Sequence, residues 1–261
     1  MTRADRFLKP FLVLSGLGSL GVLSLAPVLE QNAGQLRQSL GAPDLSDAGL
    51  VILLLVQPTI LLLTAVALGV ALAEKAGLAS LVLRRLRGME AAPGSESWGS
   101  TLLLAAVFAS VVAAADLLFR DAFPGAFRGV PRLDEATLAG RLVGLLYGGI
   151  TEELVMRFGL MTLLLWLGLR LTGGRGRAPL TWTAILLAAL AFAAGHLGAL
   201  AGSAGPHQDV LIVRTLALNG ALGSLFGWLY ARRNLEHAML AHAASHVVFW
   251  TATPLLAALG I

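Results

Sequence analysis

Three groups of side chains in this sequence combine residue types and spacings that can do chemistry. The first is Glu152-Glu153-Leu154-Val155-Met156-Arg157. On a helix Glu153 and Arg157 stand four apart, share a face and can pair. Glu152 is rotated about 100° from Glu153 and left outside that pair. One held carboxylate beside a separate ion pair is what a general base needs. The plainer reading is a charge cluster that holds helices together, and the second, unpaired carboxylate argues against it. The second group is Phe192-Ala193-Ala194-Gly195-His196, whose lone histidine would most simply hydrogen-bond between helices. The third is His242-Ala243-Ala244-Ser245-His246, two imidazoles on one helix face. Such a pair can hold a metal, aim two N–H donors at one oxygen, or merely pack. Ser245 has no flanking elbow glycines and is not read as a nucleophile. Glu236 and His237 are placed at an interface, without chemistry.

These groups are informative because of where they lie. The chain has 261 residues, of which 57% are hydrophobic and 13% charged, and a mean hydropathy of +0.79. A soluble domain is about 25% charged, so this chain cannot cover a water-facing surface. Its length suits an all-α, polytopic transmembrane helix bundle of about seven or eight spans. Apolar runs over 10–29, 49–73, 99–119, 142–168, 179–201, 210–231 and 237–259 supply the candidates. Continuous runs rather than alternation argue against a β-barrel. No internal repeat is present, and loops such as Ala92-Pro93-Gly94-Ser95 and Gly173-Gly174-Arg175-Gly176 separate the runs. The first run has no good small-x-small cleavage site and reads as a span, not a signal peptide. Domains are expected as N-terminal helices over 1–139, a core over 140–250 carrying the EExxxR, FxxxH and HxxxH motifs, and the end of the last span over 251–261, all within one structural unit.

Charge sets the expected orientation. Arg3, Arg6, Lys9, Lys75, Arg84, Arg85, Arg87, Arg170, Arg175, Arg177, Arg232 and Arg233 flank one side. Arg37, Arg120, Arg128, Arg132 and Arg141 flank the other. This bias predicts a cytoplasmic N-terminus and seven spans, although 120–141 has room for a short re-entrant helix. The basic residues sit beside apolar runs, so the pI near 10.3 reads as membrane anchoring and not as nucleic-acid binding. Asp116, Asp209 and Arg214 lie near span ends, where snorkelling accounts for them.

Ionisable groups deep in a membrane cost several kcal/mol and persist where they pair, line a wet cavity or react. The chain has no cysteine, which excludes thiol catalysis and thiolate ligation. The chemistry left is water activated by a carboxylate, with or without a metal, and buried donors for the oxyanion. That describes peptide-bond hydrolysis inside a membrane.

Glu-Glu-x-x-x-Arg at 152–157, Phe-x-x-x-His at 192–196 and His-x-x-x-His at 242–246, in this order on separate spans, resemble the CPBP family of CAAX-processing and bacteriocin-processing intramembrane peptidases (the Abi or Rce1-like group). Gly223 to Trp228 and Leu235 to His242 also look like its last motif. The resemblance covers about 140–250. It implies an intramembrane endopeptidase in which Glu152 activates water, His196 helps to hold it, Glu153 supports by pairing with Arg157, and His242 donates to the oxyanion. The family usually carries Asn or Asp where this sequence has His246, which a neutral imidazole can replace with one N–H. No cofactor is required on this reading; zinc is compatible, with Glu152, His196 and His242 as its ligands by type. Expected partners are a membrane-associated peptide or protein substrate and the lipid bilayer, in the plasma (inner) membrane. Two other classes fit the same buried groups: a transporter or proton relay, which inverted repeats would favour, and an inactive scaffold. One tension follows from the expected spans: they put His196 near the outer end of its helix and His242 near the inner end of its own.

Overall fold

The structure is a computed structural model that describes residues 4–41, 44–90, 98–200 and 208–260, with side chains described to residue 198 in the third stretch. Arg3 and the loop at 92–95 lie outside the described residues. The molecule is a helix bundle. Helix α1 (Asp5–Ser24) runs into the short α2 (Ala26–Gln31) and α3 (Ala33–Leu40). Then follow α4 (Asp47–Leu72), the short α5 (Leu81–Leu86), α6 (Trp98–Ala122), α7 (Leu138–Leu171), α8 (Arg177–Gly195), α9 (Gln208–Arg232) and α10 (Leu235–Ala258). Among the described residues there is no strand.

Six of these helical stretches are long and apolar enough to cross a membrane: 5–31, 47–72, 98–122, 138–171, 177–198 and 208–232. They coincide with six of the apolar runs. The seventh run forms α10, 24 residues long; Glu236, His237, His242 and His246 lower its hydropathy. The segment between α6 and α7 contains turns and no re-entrant helix.

Sequence explains the ends of these helices. Ser46, Ser80, Thr137 and Asn234 accept from backbone N–H groups three residues on and cap α4, α5, α7 and α10. Without a hydrophobic driving force between helices, lipid-embedded packing relies on small residues. A β-carbon on Gly159 of α7 would collide with Ala65 of α4, and one on Gly21 of α1 would collide with Thr151. The Thr151 hydroxyl donates instead to the Gly18 carbonyl at 2.7 Å. Helix α7 is thereby held between α1 and α4 on one side and α8 and α10 on the other, and Glu153 and Arg157 are buried in the interior.

Helix α7 departs from the expected winding. Gly144–Glu152 and Leu154–Met161 are π-helical, with Glu153 at their junction. A π-turn closes i→i+5 and is frequent at functional sites. It changes which residues share a face with the glutamates.

Candidate active site in the bundle interior

Glu153 is fully buried and bridges two helices. Its Oε1 lies 3.0 Å from Arg157 Nη1 and accepts from His242 Nδ1–H at 2.8 Å. The i, i+4 pair read from the sequence is thus present, and it extends to α10. Arg157 also donates to the Gly223 carbonyl of α9 at 3.0 Å, and its guanidinium lies 4.7 Å from the Phe192 ring and 5.3 Å from the Phe226 ring. A buried charge without partners would cost several kcal/mol; here one carboxylate, one imidazole, one carbonyl and two aromatic faces surround the arginine. Glu153 Oε2 has no hydrogen-bond partner among the described residues.

Glu152 is placed differently. It is half-buried, and its Oε2 lies 3.8 Å from His242 Nε2. It lines a cavity of about 450 Å³ together with His196, Tyr147, Gln57 and Phe192. Pro58 also lines it. Proline has no N–H, so the Leu54 carbonyl, one turn earlier on the same wall, lacks its helical donor.

His196 sits immediately after the last residue of α8. Its Nδ1–H donates to the Phe192 carbonyl at 2.8 Å, and its ring meets Phe192 edge-on at 4.7 Å. His242 meets the same Phe192 ring at 5.7 Å and stacks on Phe226 at 4.6 Å. Phe192 therefore brings to one place the two histidines whose expected depths conflicted. His246 stacks on His242 at 5.3 Å but lines a second cavity of about 300 Å³, where Asn219, Arg214 and again His196 are found. His196 stands between the two cavities. Both α10 imidazoles can approach α7 because residues 144 and 148 are glycines. A β-carbon on Gly148 would lie 3.0 Å from His246 Nε2 and 3.2 Å from His242 Nε2, and one on Gly144 would lie 2.9 Å from His246 Nδ1.

The hydrogen bonds define the imidazole roles. His242 and His196 each spend Nδ1–H, on a carboxylate and on a carbonyl. In the neutral ring Nε2 is then an acceptor, and it donates only when the ring carries both protons. The metal reading fares less well. Among the described residues no three His, Asp or Glu side chains are arranged to hold one ion. Glu152, His196 and His242 do not form a ligand set as they stand.

Sequence reasoning missed several contributors. Tyr147 stands five residues before Glu152. On an α-helix that is roughly 140° away, but the i→i+5 winding brings both to the same cavity. Gln57, a polar residue in an apolar run, was a legible signal. Other polar residues expected near span ends make specific contacts. Asp116 is wholly buried and takes Arg120 Nε at 2.9 Å and Arg214 Nη2 at 2.5 Å, so neither Asp116 nor Arg214 snorkels. His237 is buried, stacks on Trp98 at 4.1 Å and shares a 2.6 Å hydrogen bond with Thr101. Glu236 accepts from the Ser80 hydroxyl and the Leu81 and Val82 N–H groups, and so secures α5. Ser245 donates to the Ala241 carbonyl. Outside the spans, the Arg132 guanidinium bonded to Asp134 holds that carboxyl below its ordinary range.

The family model described as type II CAAX prenyl endopeptidase Rce1-like matches residues 134–248. That range begins just before α7 and takes in every residue of the site except the α4 wall of the first cavity. No curated protein and no solved structure is significantly similar to the chain. Residues 134–248 are thus similar to the Rce1-like type II CAAX prenyl endopeptidase family, within a chain whose long apolar helices are those of an integral membrane protein.

Proposed function

We propose that the protein is an intramembrane endopeptidase in which Glu152 is the base that activates water. The observation that carries this reading is the unequal placement of the adjacent carboxylates. Glu153 is engaged by Arg157 and His242, whereas Glu152 opens on a cavity that His196 also lines.

In the reaction, a water held between Glu152 and the Nε2 acceptor of His196 loses a proton to Glu152 as its oxygen bonds to the peptide carbonyl carbon. The carbonyl π pair moves to oxygen. His242, carrying both protons, donates Nε2–H to that oxyanion while Glu153 takes Nδ1–H. With His242 in that form, Glu152, Glu153, Arg157 and His242 sum to zero charge, so the apolar interior holds no net ion. The oxyanion pair then re-forms the carbonyl as the C–N bond breaks and the proton on Glu152 passes to the amide nitrogen, giving a carboxylic acid and an amine. His246 braces the His242 ring. No metal enters this step.

The substrate is a membrane-associated peptide or protein. The N-terminus is placed in the cytoplasm and the protein in the plasma (inner) membrane, on the asymmetry of Lys and Arg. The transporter and scaffold readings find no separate support in the geometry. The test is cleavage of a reporter membrane peptide carrying a prenylated C-terminal CAAX sequence, by purified protein. Glu152→Ala and His196→Ala are expected to lose cleavage while retaining the thermal unfolding of the wild type; cleavage equal to the wild type in both would overturn the assignment. Chelation followed by elemental analysis of the active protein checks the metal-free step, and activity that disappears with a stoichiometric metal would replace it.

A further inference from the structure

The end of the bundle opposite the α6–α7 connection is basic. It gathers Lys75, Arg84, Arg85, Arg170, Arg175 and Arg177 with the end of α9. Among the described residues the acids there, Asp5, Glu74, Glu90 and Glu236, are fewer. Glu74 pairs with Arg87 at 3.0 Å, and Glu236 is spent on α5. Between the start of α8 and the end of α9 lies a cavity of about 440 Å³ that is separate from both cavities of the site. Arg177 and Arg232 line it, and no carboxylate does. Its walls are Trp182, Ile185, Trp228 and Leu78.

The two arginines differ. Arg177 is fixed, because its Nη2 donates to the Ala76 carbonyl at 2.7 Å and the Gly77 carbonyl at 3.3 Å. Gly77 permits this: its φ is +64°, and a β-carbon there would lie 2.6 Å from Arg177 Nη2. Arg232 is exposed and makes no ion pair or hydrogen bond among the described residues. One anchored and one unspent guanidinium thus stand over an apolar slot edged by two tryptophans. Tryptophan prefers the membrane–water interface, and basic pockets between spans are a recognised fit for anionic lipid head groups.

We propose that this cavity binds one anionic phospholipid, its phosphate between Arg177 and Arg232 and an acyl chain along Trp182, Ile185 and Trp228. The lipid bridges α8 to α9, the two helices that supply His196, Phe192, Phe226 and the Arg157 acceptor to the site. Charge complementarity selects the occupant. A zwitterionic lipid brings a compensating cation, and a free phosphate cannot fill the apolar wall.

Titration of the full-length protein in neutral detergent with phosphatidylglycerol or phosphatidylcholine, read by native mass spectrometry, tests this directly. One phosphatidylglycerol is expected to be retained with an apparent Kd about fivefold or more below that of phosphatidylcholine, since each basic residue near the phosphate contributes about 1 kcal/mol. Arg232→Gln should lose about fivefold of that preference, Arg232→Lys should keep most of it, and Trp182→Ala should weaken both lipids. Arg37→Gln, at the other end of the bundle, should change neither. Equal retention of the two lipids, an Arg232→Gln protein with undiminished preference, or displacement by an equal concentration of inorganic phosphate would each overturn the proposal. The readout is binding, so it stands or falls independently of peptidase activity.

Discussion

Two buried ionic nodes hold this bundle together, and they are built from the same parts. At one, Asp116 of α6 takes Arg120 from one turn on and Arg214 from α9. At the other, Glu153 of α7 takes Arg157 from one turn on and His242 from α10. Each joins an i, i+4 arginine to a cation or imidazole from a distant helix, and each central carboxylate is wholly buried. Burial and pairing therefore do not mark an active site. The difference lies beside the pair. At Asp116, Arg120 also donates to the Val130 and Pro131 carbonyls, and Arg214 lines the second cavity. At Glu153 a second carboxylate, Glu152, stands 3.8 Å from His242 Nε2, at the wall of a cavity that His196 also lines. The first node is a carboxylate with two cations; the second adds a further carboxylate that faces a cavity.

The largest effect expected from this contrast is on rate. Glu152→Gln removes the base and keeps the shape, so cleavage of the reporter peptide should fall by about 10²- to 10⁴-fold, with thermal unfolding in detergent unchanged. A variant that cleaves within a few-fold of the wild type would make the two nodes equivalent. The next effect inverts the pattern. Asp116→Ala leaves two arginines without their carboxylate, and breaking such a buried pair costs about 3–5 kcal/mol. Unfolding should shift accordingly, while the protein that remains folded should cleave at the wild-type rate. A full-length Asp116→Ala protein as stable as the wild type would show that this node is no clamp.

Glu153→Gln should do some of both. The amide still accepts from His242 Nδ1–H, but the compensation of Arg157 is lost. Stability should fall, by less than at Asp116, because Arg157 keeps the Gly223 carbonyl and two aromatic faces. The rate should fall too, since a protonated His242 no longer meets a carboxylate. Loss of stability with no loss of kcat would confine Glu153 to a structural role and leave Glu152 to act alone.

The contrast also shows what the sequence made legible. The Glu153–Arg157 pair lies within one helical turn, and four-residue spacing alone predicts it. The three motifs named the site because each puts a polar group into an apolar run where it costs free energy. The Asp116–Arg214 contact joins residues 98 positions apart, and nothing in either local sequence announces the partner. Position near a span end then favoured the solvated reading. The π-winding of α7 was hidden for a different reason. Its glycines and apolar residues carry no local signal for the wider turn. That is why Tyr147 was overlooked, and why the depths expected for His196 and His242 disagreed until Phe192 was seen between them.

The smallest effect concerns His246, the residue that departs from the pattern the motifs resemble. It touches the site only through its stack on His242 and faces the second cavity. An aromatic pair of this kind is worth about 0.5–1.5 kcal/mol, so His246→Ala should lower kcat by about two- to tenfold. The His242 Nδ1–H bond to Glu153 persists in such a variant, so the chemistry survives with a less constrained donor. His246→Phe restores the stack without any N–H and separates bracing from donation: recovery of the rate assigns bracing, whereas a loss as deep as that of Glu152→Gln would move His246 into the reacting set. A brace needs no proton, and that is the sense in which an imidazole at this position is compatible with activity.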